Sequence, residues 1–289
     1  MEYIIHLIIL FGIYGILALS LDLIVGFTGL LSLSHAAFYG IGAYAVAVLS
    51  TTYGINFFVA ALIGMSVAAV VALMIGFVLR KFKDDYYALA SFGFNVIAVS
   101  IFLNWESITK GPLGIPGIKR PELFGFVFST NTLYMILTLA LFALTALFVW
   151  HITKSSFGRV LRAIREDEKA LEVFGYRITR YKLAIYVISG ALAALAGALY
   201  ASYITYVDPS TFTANESIVI LSMIILGGLA SLRGAIIGAA ILIALPEALR
   251  FVGLPMDVAA QLRQVIYGLI LALLMLYRPK GMYGEYEMK

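Results

Sequence analysis

The chain has 289 residues, of which 62% are hydrophobic and only 12% charged, with a net charge of +4 and no cysteine. Soluble domains carry about 25% charged residues, so most of this surface faces something other than water, and a mean hydropathy of +0.99 points to lipid. Disulfides and thiolate metal sites are excluded.

Apolar runs of about 17–25 residues predict helices over 4–25, 34–50, 57–79, 86–104, 131–150, 182–203, 217–230, 234–249 and 258–277. Met1-Glu2-Tyr3 lacks the basic start of a signal peptide, and the apolar run behind it is too long for one, so it reads as a true first span. No ten-residue alternation of the β-barrel kind occurs. The run 217–230 is short and reads either as a crossing or as a re-entrant half-helix. The expected fold is therefore all-α and polytopic. It is one transmembrane domain over 1–289, a bundle of 8–9 transmembrane helices with short or re-entrant segments.

The turn after the first run and the start of the second read GLLSLSHAAFYGIGAY (29–44). In the second run Ala36, Gly40, Ala43 and Ala47 fall on one helical stripe, as do Gly190, Ala194, Gly197 and Ala201 of the sixth run. Apolar attraction between helices is absent in lipid, so close approach through small residues supplies packing. Ser32, Ser34 and His35, with Ser91 and Asn95 of the fourth run, are the candidate pathway or gate groups. The alternative is that each only hydrogen-bonds a neighbouring helix.

Arg80, Lys81 and Lys83 follow the third run, eight basic residues lie between Lys154 and Lys182, and Arg278, Lys280 and Lys289 follow the last. Together these are 14 of the 20 lysines and arginines. Parity puts those loops on one side if 217–230 crosses, and the positive-inside rule then makes them cytoplasmic, with the N-terminus outside and the C-terminus inside.

The polar segment KSSFGRVLRAIREDEKALEVFGYRITRYKLA (154–184) predicts two short helices, capped by Ser156 and Asp167. Gly175 is expected to end the second as a left-handed cap, and Thr179 to cap the sixth run. Arg159, Arg162 and Arg165 form a basic ridge, and Ala170, Leu171 and Phe174 an apolar knob. Both fit a docking surface for a cytoplasmic partner, in a loop over about 152–182. Farther on, Gly29-Leu-Leu-Ser-Leu33 recurs as Gly228-Leu-Ala-Ser-Leu232, a trace of the internal repeats common in transporters.

The segment Gly158 to Ala201 resembles the permease subunits of branched-chain amino acid ABC importers, the LivM-like family. So do SLSHAAFYGIGAY (32–44), YYALASFGF (86–94), GPLGIPGI (111–118), ESIVILSMIILGGLASLRGAIIGAA (216–240) and the closing YRPKG (277–281). Ser34, Arg233 and Ala235 depart from the residues usual there. The resemblance implies a multi-pass plasma (inner) membrane protein moving branched-chain, hydrophobic amino acids. It also implies partners: two cytoplasmic ATPase subunits, a second homologous permease and an extracytoplasmic solute-binding protein. The loop around Ala170 to Gly175 then resembles the coupling-helix region seated on the ATPase.

None of the 26 glycines is followed by lysine, so the P-loop pattern is absent. No cofactor is expected on this chain, and ATP with Mg belongs to the partner subunits. No metal or catalytic residues are proposed, because His6, His35 and His151 are scattered and Asp22, His35 and Glu247 are the acids and bases nearest the runs. An enzyme and a nucleic-acid binder are set aside. Two alternatives remain: an ABC permease for urea or short amides, and an ion-coupled secondary transporter.

Overall fold

The computed structural model describes residues 2–123, 125–250 and 281–284, with single positions at 265, 268 and 269. Apart from those three positions, the predicted helix 258–277 lies outside the described residues, as do most of the closing YRPKG motif and the side chain of Glu247.

Long apolar runs free of proline fold into long helices. They are α1 (Glu2–Thr28), α2 (His35–Thr52), α3 (Phe57–Leu79), α4 (Asp84–Asn104), α6 (Asn131–Lys154) and α9 (Ile178–Ile204). Five of these, all but α2, are long and apolar enough to cross a membrane. Shorter pieces complete the chain: α5 (Glu106–Thr109), α7 (Ser156–Glu166), α8 (Glu168–Val173), α10 (Ala214–Gly227) and α11 (Leu232–Arg250). Two small antiparallel pairs tie the loops at one end. In the first, β1 (Ile115–Pro116) sits on β4 (Tyr206–Val207), and in the second β2 (Glu122–Leu123) sits on β3 (Phe126–Val127). The chain is an all-α polytopic membrane protein.

The centre of the bundle is α1, α2 and α9, with α3 packed on α2 and α9 and α6 on α1. From Gly15 to Thr28 every residue of α1 is buried. Peripheral α3 reverses the pattern of a soluble helix. Between the buried Phe57 and Leu79 at its two ends, its inward residues are the small Ala60, Ala61, Gly64, Ala68, Ala72 and Gly76, while Leu62, Val70 and Met74 point outward. In lipid that is the expected arrangement, since small residues bring backbones together and large ones meet acyl chains.

The two predicted stripes lie in this central contact and meet at Gly197 and Ala43, though not along their whole length. A methyl placed at Gly197 would run into Tyr39 O and come within 2.8 Å of Ala43 N, and one at Gly42 would run into the Ala194 carbonyl. Gly40 instead faces the rings of Phe102 and Phe212, and Gly190 faces Ala72 and Phe38. Ala36, Ala43, Ala47, Ala194 and Ala201 are all fully buried.

Two stretches of non-helical backbone enter the bundle from opposite ends. Residues 29–34 turn back from the end of α1, so α2 starts beside Ser20, where Ser20 Oγ lies 2.7 Å from His35 Nε2. Eight residues separate Ser20 from Thr28, so this return covers about 12 Å. Residues 205–213 come from the other end, and α10 starts beside the middle of α1, where Tyr14 donates to Glu216 Oε1 at 2.6 Å. The 14 residues of α10 span about 21 Å, short of a 30 Å hydrocarbon core.

Candidate functional site

Backbone that is not helical at membrane depth must be buried in protein and hydrogen-bonded there. The sequence meets that demand with small hydroxyls. In the 29–34 return, Leu33 N–H donates to Ser91 Oγ at 2.9 Å, and Ser91 passes its own proton to Ala88 O at 2.8 Å. Ser32 and Ser34 hydroxyls pair at 2.9 Å, and Ser34 Oγ meets Tyr186 Oη of α9 at 2.8 Å. The start of α2 has no side-chain cap of its own. Ser217 of α10 supplies one, accepting from Ala36 N–H at 3.0 Å.

His35 stands at the head of α2. Ser20 Oγ donates to Leu17 O at 2.9 Å, so its contact with His35 suits a ring carrying its proton on Nε2. Nδ1 then has no partner among the described residues. Ser189 of α9 donates to Ser20 O. All five candidate pathway or gate residues are fully buried. The fold joins Ser32, Ser34, His35 and Ser91 around the start of α2, and sets Asn95 apart. Asn95 Nδ2 reaches Phe212 O at 3.5 Å, and its Oδ1 has no partner among the described residues. Phe212, at the end of the turn Pro209–Phe212, sits among Tyr39, Tyr44 and Phe102, with ring centroids 5.1, 5.9 and 6.2 Å away.

A second assembly lies at the end where α1 stops. Gly29 and Gly228 of the echoed motifs both adopt positive φ, at 73° and 109°, which favours glycine. In the second copy Ala230 also has φ 58°, and its N–H donates to Asp22 Oδ1 at 2.9 Å. Met282 and Tyr283 N–H groups join the same corner, on Leu226 O and Gly227 O at 3.1 and 2.8 Å. The basic residues gather here too, since Arg80, Lys182 and Leu30 line one small cavity.

The α7–α8 loop packs on this corner, with three departures from the sequence expectation. The cap of α7 is Ser155, not Ser156, with its hydroxyl accepting from Gly158 N–H. Thr179 does not cap α9, which begins one residue earlier behind Arg177 with no side-chain cap. The three arginines do not form one ridge. Arg165 donates to the carbonyls of Val25 and Gly26 at the end of α1, and Arg162 lies over the Phe27 ring at 5.2 Å. The Val25 carbonyl also accepts from Gly29 N–H at 3.2 Å, while the Gly26 carbonyl lies in the last turn at the negative end of the helix dipole, where a guanidinium satisfies it. Arg159 alone is exposed, bonded to Ser156 Oγ at 2.7 Å.

Asp167 does cap α8, accepting from Ala170 N–H at 3.0 Å, and Gly175 ends the turn at φ 83°. The knob is shifted along the chain. Val173 and Phe174 are 87% and 79% exposed, Ala170 is exposed and Leu171 is half-buried. Val173 carried no sequence signal beyond its neighbours. Ser20, Tyr186, Ser189 and Ser217 were also missed, because a hydroxyl inside an apolar run shows no partner until helices distant in sequence are brought together.

Residues 3–276 match the profile of the family described as branched-chain amino acid transport system / permease component. The chain belongs to this permease family. It is 33% identical to the high-affinity branched-chain amino acid transport system permease protein LivM of Salmonella typhimurium, over 93% of this chain and 67% of the relative. It is 27% identical to the permease LivH of Escherichia coli, over 96% of this chain and 92% of the relative. Among solved structures it is similar to PsaBC from Streptococcus pneumoniae in complex with Fab. There the TM-score is 0.50 at 17% identity, covering 96% of this chain and 92% of that one, a likeness of fold alone.

Proposed function

We propose that the chain is the membrane-spanning permease subunit of an ATP-driven importer of branched-chain amino acids. It would work with a second homologous permease, two cytoplasmic ATPase subunits that hold ATP and Mg, and an extracytoplasmic solute-binding protein. Membership of the permease family supports the transport role. The observation that carries the division of labour is the α7–α8 loop. Its arginines lock it to α1, while its tip presents Val173 and Phe174 bare to solvent. Such a pair favours a partner cleft, since a fully buried Phe contributes about 1.5–3 kcal/mol.

In this reading the tip rides on the ATPase. Arg165 passes its motion to the end of α1, and Asp22 passes it on to the α10–α11 corner. The polar groups around Ser34 and His35 hold the start of α2 at half depth and gate the path there, while Asn95 and Phe212 close it from the other end. Residues 205–213 with α10 make one crossing, with the N-terminus outside and the basic end and C-terminus cytoplasmic. Co-purification with the ATPase subunits tests this. Wild type should retain them and Val173→Ser/Phe174→Ser should lose them; equal retention would remove the tip from the interface.

A further inference from the structure

A cleft of about 500 Å³ opens beside the start of α9, bordered by Gly175 behind the α8 tip and separate from the buried serines. Its lining includes Arg177, Arg180, Tyr181, Ala184, Tyr176 and Phe157. Arg177 and Arg180 are one turn apart, so they share a face, and both are exposed. Neither guanidinium has a hydrogen-bond or ion-pair partner among the described residues. The nearby ion pair, Lys182 with Glu168 at 2.7 Å, leaves the two arginines out. The wall behind them is aromatic, with Phe157 stacked on Tyr181 at 5.4 Å and Tyr176 at 6.4 Å from Tyr181.

The cleft changes character along its length. Arg177 marks its polar mouth, where α9 emerges at the basic end of the bundle. Ala184, seven residues on and about 10 Å along the helix, marks its apolar floor. Tyrosines between a charged mouth and an apolar floor are the composition of a membrane interface. A purely protein partner bearing a carboxylate would use the arginines but would leave the lower half unmatched. A phosphodiester on a glycerol matches both halves, with phosphate oxygens between the guanidinium groups and the glycerol and first acyl methylenes along Tyr181 and Ala184. Arginine forks suit phosphate oxygens well, and basic pockets beside membrane helices on the cytoplasmic side take anionic headgroups. The geometry points to a binding site for one anionic phospholipid of the cytoplasmic leaflet in the cleft between α7 and the start of α9.

The test is native mass spectrometry of the full-length purified permease after equal additions of phosphatidylglycerol or phosphatidylcholine. One phosphatidylglycerol per chain should be retained in preference to phosphatidylcholine. Each basic residue near an anionic surface contributes roughly fivefold, so Arg177→Gln/Arg180→Gln should weaken retention by about thirtyfold. Arg177→Lys/Arg180→Lys, which keeps the charge but loses the fork, should retain more lipid than the glutamine pair and less than wild type, and an unchanged melting temperature in both pairs separates lost binding from lost folding. Three results would overturn the site: no preference for phosphatidylglycerol, equal retention by the glutamine pair, or displacement of the lipid by inorganic phosphate at millimolar concentration. Loss of ATPase co-purification in the glutamine pair with lipid retention unchanged would assign the cleft to the protein partner instead.

Discussion

Replacing Gly197 by alanine asks whether α2 and α9 touch backbone to backbone. The new Cβ would collide with Tyr39 O and lie 2.8 Å from Ala43 N and 2.9 Å from Tyr39 C, all main-chain atoms of α2. Real Cβ atoms do not come within 3.0 Å of such neighbours, and a helix backbone cannot rotate aside as a side chain can. The helices must part by on the order of an ångström, and gaps of that size forfeit a quarter to a half of each dispersion contact along the seam. Overpacking of this kind costs about 1–3 kcal/mol. Gly93→Ala in α4 is the control, because nothing among the described residues lies within 4 Å of its added methyl. There the helix gains about 0.5–1 kcal/mol from lost backbone freedom in the unfolded chain. Thermal unfolding in one detergent, followed by tryptophan fluorescence, should therefore move in opposite directions for the two variants. Equal melting temperatures for Gly197→Ala and wild type would refute the backbone contact. Gly40→Ala should fall between them, since its neighbours are the movable rings of Phe102 and Phe212.

Tyr186→Phe removes the hydroxyl 2.8 Å from Ser34 Oγ but leaves the Ser32–Ser34 pair, so a loss of only about 0.6–1 kcal/mol is expected in the same melt. Arg165→Ala removes the guanidinium from the Val25 and Gly26 carbonyls at the end of α1. Charged hydrogen bonds contribute about 1.5–3 kcal/mol, and limited proteolysis should cut the 155–177 loop faster than in wild type. Phe174→Ala, at a side chain 79% exposed, should leave the melting temperature unchanged while lowering solute-stimulated ATP hydrolysis of the assembled complex; a drop in melting temperature would mean that Phe174 packs within this chain. Gly175→Val places a β-branched residue at φ 83°, which disfavours the α8 turn, and should lower that hydrolysis more than Phe174→Ala does.

The helices were legible because lipid imposes length and apolarity on each of them. The predicted run 57–79 coincides with α3, and the prediction 131–150 misses only the last turn of α6. The depth of the breaks was not legible. The motif 29–34 reads as an ordinary loop at the membrane surface, and only the contact of Ser20 with His35 shows that it turns back into the bundle. The capping of α8 by Asp167 and Gly175 was readable because caps act within a few residues. The pairing of Arg165 with Gly26 was not, because 139 residues separate them. Charge spacing suggested one ridge, and the fold turned two of its three arginines inward. Ser217 capping a helix start 181 residues away has no local signature at all.

Uptake of radiolabelled leucine into proteoliposomes measures the proposed transport directly. Liposomes holding this permease with its second permease and both ATPase subunits should accumulate leucine when the solute-binding protein and ATP are supplied, and not when ATP is replaced by a non-hydrolysable analogue. Accumulation by this chain alone, driven by an ion gradient without ATP, would contradict the reading.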